Sequence, residues 1–140
     1  MEQRLRAVLW GVAAVVLTGS ALELALLEHW EDPVQGVPFA LSLIGLLAIG
    51  AAWWSPGPAT LKAVRWVMLL LAAGAVVGVW QHLHHNYEFA AEIAPTRTMG
   101  FWLAEAISGA NPLLAPGIFA VVAAMGLGAA WDHPSESSQN

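Results

Sequence analysis

The chain contains no cysteine. Disulfides, thiolate metal sites, iron–sulfur clusters and a cysteine nucleophile are thereby excluded. Charge is scarce too: 11% of the 140 residues are Asp, Glu, Lys or Arg, where a soluble domain carries roughly a quarter. Only five residues are Lys or Arg and the net charge is −5, so there is no basic patch to neutralise phosphates, and nucleic acid is excluded as a partner. No stretch alternates apolar and polar residues in the manner of a strand. No phosphate-binding loop or nucleophile–base signature is present, and Ser20, Ser42 and Ser108 lie in no hydrolase motif. The sequence therefore leans away from an enzyme.

What remains is apolar. Hydrophobic residues make up 58% of the chain, and they fall in runs long enough to cross a bilayer, which takes ~20 consecutive apolar residues. Four spans are expected, at about residues 5–27, 37–54, 61–83 and 113–131. Lipid cannot satisfy open backbone groups, so each is read as a helix. The fold expected is an all-α membrane protein, a four-transmembrane-helix bundle over residues 1–133, with a polar, disordered tail at 134–140. The first run is longer than the core of a signal peptide and lacks a small-x-small site, so it is read as a retained span.

Prolines and glycines mark the boundaries. Asp32-Pro33 and Val37-Pro38 follow the first run, "SPGP" (Ser55 to Pro58) separates the second from the third, and "NPLLAPG" opens the fourth. Asn111-Pro112 and Pro116-Gly117 are read as a cap and a mild kink. Between the third and fourth runs, "TMGFWLAEAISGA" is too short to span and is read as a short interfacial helix before the last span. Arg4, Arg6, Lys62 and Arg65 share one side, and Arg97 alone lies on the other. The Lys/Arg bias then puts both termini in the cytoplasm of a plasma (inner) membrane protein. Trp53, Trp54, Trp66 and Trp131 fit an inner aromatic belt, and Trp30, Trp80 and Trp102 an outer one.

This orientation gathers His29, His82, His84, His85 and the carboxylates Glu28, Glu31, Asp32, Glu88, Glu92 and Glu105 on the extracytoplasmic face. If the third helix continues past Trp80, a rotation of ~100° per residue puts Gly74, Gly78, Gln81, His82, His85, Glu88 and Glu92 within ~60° of one line, with Asn86 and Tyr87 off it. Gly74 and Gly78 form a small-xxx-small motif suited to close approach of another helix or a second copy of the chain. A seam that continues outward into His82, His85, Glu88 and Glu92, completed by Glu28, His29 and Glu105, is a candidate metal or cation site. Its donors suit zinc, copper(II), iron or manganese. The competing reading is a wet helix end with ordinary polar residues.

Three further readings stay open. The chain suits a non-catalytic small subunit or assembly factor of a larger membrane complex. It is also compatible with a haem b protein that uses His29 with His82 or His85. Glu23, an ionisable residue inside the first span, is a proton-titrating candidate for a coupled transporter.

Overall fold

The computed structural model describes residues 2–131, 133 and 134. Most of the expected tail, and Asp132, lie outside the described residues. Those described form five α-helices, α1 (Glu2–Leu26), α2 (Val37–Trp54), α3 (Pro58–Ile93), α4 (Met99–Ser108) and α5 (Leu114–Ala130), with a 3-10 turn at Pro33–Gly36 before α2, and no strand. Three segments are long and apolar enough to cross a membrane: α1, the turn with α2, and α3. The apolar α5 is shorter, at 17 residues.

Each boundary has a local cause. Helix α1 ends in a Schellman turn: His29 N–H bonds Leu24 O at 2.9 Å, Glu28 N–H bonds Ala25 O at 3.1 Å, and Glu28 takes φ +51°. That left-handed position normally goes to glycine. The 3-10 turn is closed by Gln35, whose Oε1 accepts from the backbone N–H of Glu31 at 2.8 Å and of Asp32 at 3.3 Å. Pro38 and Pro58 stand in the first turns of α2 and α3, where a missing N–H costs nothing.

The four long helices close a ring: α1 packs on α2 and α5, α2 on α3, and α3 most extensively on α5. Small residues make this possible. Ala13, Ala52, Ala75, Ala123, Ala129 and Ala130 are buried, and Gly126 receives the Met68 side chain. Between helices in lipid, close van der Waals contact replaces the hydrophobic drive of a soluble core. The outward faces carry Val15, Leu22, Leu43, Leu47, Leu70, Val76 and Val121, all exposed. A ring that is apolar outside and small-residue-packed inside suits a lipid solvent.

The glycine seam splits between two neighbours. A Cβ at Gly74 would meet Leu41 of α2 at 2.5 Å, and one at Gly78 would meet Pro116 of α5 at 2.5 Å. Among the described residues, the close approaches that the motif allows are thus made by the chain's own α2 and α5.

Helix α3 has 36 residues, about 54 Å at the α-helical rise, against ~30 Å of hydrocarbon. Its C-terminal third is paired with α4. Tyr87 meets Trp102 edge to face at 6.1 Å, and the Trp102 indole donates to Ala94 O at 3.1 Å. The segment expected to be a short interfacial helix packs on α3 as the second arm of a helical hairpin.

Candidate functional site

Toward its C-terminal end the buried face of α3 runs through Ala75, Asn86 and Ala90. It is rotated from the expected line, and Asn86, expected off the seam, is its centre. The reason is geometric. Gly74 and Gly78 face different helices, so the line through both is not the axis of one interface.

Asn86 is 3% exposed and uses its whole hydrogen-bonding capacity. Its Nδ2 donates to Ala106 O at 3.2 Å and to Asn111 O at 3.0 Å. Its Oδ1 accepts from Asn111 N–H at 2.9 Å and from Asn111 Nδ2 at 3.0 Å. An amide side chain has two donors and two acceptor positions, so nothing is left over. Ala106 O belongs to the last turn of α4, whose carbonyls lack helical partners, so Asn86 caps α4 and ties the α4–α5 linker to α3. Gly109 completes the junction: a Cβ there would come within 2.7 Å of Asn86 Cγ. Asn111 therefore serves α3 and does not cap α5, as expected from sequence; the N-cap of α5 is Leu113, which offers no side-chain hydrogen bond.

The candidate ligands are distributed differently from the expected seam. His82 is half-buried and its Nδ1 lies 2.9 Å from Pro112 O. A carbonyl only accepts, so Nδ1 carries the proton and the ring acts as a second tie to the linker. His85, Glu88 and Glu92 are exposed, and Glu88 Oε2 lies 3.1 Å from His84 Nδ1. Glu28 and His29 build the Schellman turn of α1. Glu23 is exposed on α1. Among the described residues no group of three or more His, Asp or Glu side chains is placed to hold a metal ion. The packed face of α3 is the Asn86 face, and His85, Glu88 and Glu92, expected to point inward with His82, are exposed.

The sequence reading missed Asn86 and Gly109. A signal was there: Ala75, Gly78, His82, Asn86 and Ala90 recur at spacings of three and four, small residues bracketing two polar ones.

Beside the junction a cleft of about 180 Å³ opens between α3 and α4, lined by Asn86, Phe89, Ala90, Ile93, Phe101, Glu105, Gly109 and Ala110. A shallower groove on the outer surface of α1 is lined by Ala14, Val15, Thr18, Gly19 and Leu22. On α4, helical periodicity puts Phe101, Glu105 and Gly109 on the cleft flank and Leu103 and Ile107 on the other. Leu103 and Ile107 are exposed, as are Met99, Phe89 and Ile93.

The opposite end of the bundle is closed by arginines. Arg6 Nη1 donates to Ala129 O and Trp131 O, both at 2.6 Å, and Arg65 Nη2 donates to Ala130 O at 2.6 Å. These are the orphan carbonyls at the C-terminus of α5, where cations also meet the negative end of the helix dipole.

No protein-family model matches the chain, and no curated protein or solved structure matches it.

Proposed function

We propose that the chain is a four-span membrane protein that acts as a non-catalytic partner, a small subunit or assembly factor, of a larger membrane complex. In this reading α5 is the fourth span, both termini are cytoplasmic, and the α3–α4 hairpin stands on the extracytoplasmic side. The observation that carries it is the exposed apolar set Met99, Leu103 and Ile107 on α4 with Phe89 and Ile93 on α3. In this reading they lie on the part of the hairpin beyond the bilayer, because α3, at 36 residues, is longer than the hydrocarbon it would cross. Apolar side chains presented together outside lipid mark a contact surface. The outer metal site remains the competing proposal. It would require ligands to gather that are apart among the described residues, so the partner reading stands ahead of it.

Two experiments test the reading. Mild-detergent purification from native membranes is expected to yield a stoichiometric complex that Leu103→Glu with Ile107→Glu dissolves; a monodisperse lone protein would overturn it. The absence of cysteine makes the topology directly measurable. Single cysteines at Ser55 and Thr98 are expected to react with an impermeant maleimide from opposite sides of the membrane. Labelling of both from one side would refute four spans with the hairpin outside.

A further inference from the structure

We infer that the cleft between α3 and α4 binds a small organic cation with a short apolar body, an alkylguanidinium or alkylammonium. The inference does not depend on the partner reading: it concerns the Phe101 and Glu105 flank of α4, and shares only Phe89 and Ile93 of α3 with the partner surface.

The lining decides the chemistry. Phe89 and Phe101 supply rings, and Ala90, Ile93 and Ala110 supply aliphatic wall. The floor, Asn86, has every donor and acceptor position occupied, so it contributes shape and no further hydrogen bond. Glu105 is the one charged residue in the lining. It is half-buried, and its carboxylate has no hydrogen bond or ion pair among the described residues. A neutral apolar guest would desolvate that carboxylate without compensation, which costs free energy. An anion would be repelled by it, and by Glu88 and Glu92 on the same stretch of α3. A single carboxylate is too few ligands for a metal ion. A cation that pairs with Glu105 and lays its body against the rings meets every group present.

The ring chemistry is already in use beside the cleft: the Arg97 guanidinium sits 5.2 Å from the Phe101 ring centroid. The size also fits. A cleft of about 180 Å³ corresponds to roughly six water volumes, below the ~300 Å³ of the smallest drug-type pockets.

The test uses the full chain in detergent, titrated with n-butylguanidinium and, separately, with the neutral n-butylurea. The Gly109 amide and the Trp102 indole N–H are followed by NMR. Saturable shifts are expected with the cation, with butylurea about tenfold weaker or worse. Glu105→Gln is expected to weaken the cation by a similar factor without changing the melting temperature. Equal binding of butylurea, absence of saturable shifts, or a Glu105→Gln variant that binds the cation as the parent does would each overturn the site. Should that variant fold poorly, the comparison of the two ligands on the parent chain decides alone.

Discussion

The two ends of the bundle solve the same problem with different chemistry. Each must satisfy carbonyls at a helix C-terminus, and each uses side chains from neighbouring helices. At the end formed by the N-termini of α1 and α3, two guanidinium groups, Arg6 and Arg65, hold the last carbonyls of α5. At the other end one neutral amide, Asn86, holds Ala106 O of α4 and the backbone of Asn111. The difference follows from burial. Arg6 and Arg65 are half-exposed, where a charge keeps part of its solvation. Asn86 is 3% exposed, where a charge would need a partner of opposite sign and an amide needs only hydrogen bonds. One end thus rests on charge against the helix dipole and the other on complete hydrogen bonding.

Replacements at the two ends separate these mechanisms. The largest effect is expected from Asn86→Leu, which strands the Asn111 N–H and removes the cap of α4. Burying such groups without partners is expected to cost about 3 kcal/mol, read as a lowered denaturation midpoint in detergent. Arg65→Met removes one of the charged clamps, with Arg6 still in place. A loss of about 1.5 kcal/mol is expected, in the same assay. A loss as large as that of Asn86→Leu would show that the arginine end bears the fold to the same degree. Glu28→Gly relieves the left-handed residue that ends α1, and stabilisation of about 1 kcal/mol is expected. The smallest change is expected at His84→Ala. Its pair with Glu88 joins side chains that are 51% and 59% exposed, and exposed pairs are worth under ~0.5 kcal/mol.

The three long apolar helices were legible because length and composition alone mark a helix able to cross lipid. Helices α1, α2 and α3 lie where the apolar runs put them, and the turn chemistry of "SPGP" and Asp32-Pro33 marked their ends. The continuation of α3 past Trp80 was legible from the absence of any breaker before Pro95. The facing of its side chains was not. Gly74 and Gly78 are spaced like a single contact, yet Leu41 fills one and Pro116 the other, and only the three-dimensional ring distinguishes these cases. His85, Glu88 and Glu92 carried the chemical interest in the sequence, while the packing position belonged to Asn86. The arginine clamp was half legible. Arg6 and Arg65 were read as orientation signals, but their convergence on α5 depends on the ring closing between α1, α3 and α5.

The outer junction is tested most directly by hydrogen exchange on Asn86→Leu beside the parent chain. If Asn86 is the main tie between α4 and the bundle, stronger than the His82 and Trp102 contacts beside it, protection is expected to fall selectively at the amides of α4 and of residues 109–113, with those of α1, α2, α5 and the N-terminal half of α3 unchanged. Unaltered protection in α4, or a uniform loss along the whole chain, would contradict that role.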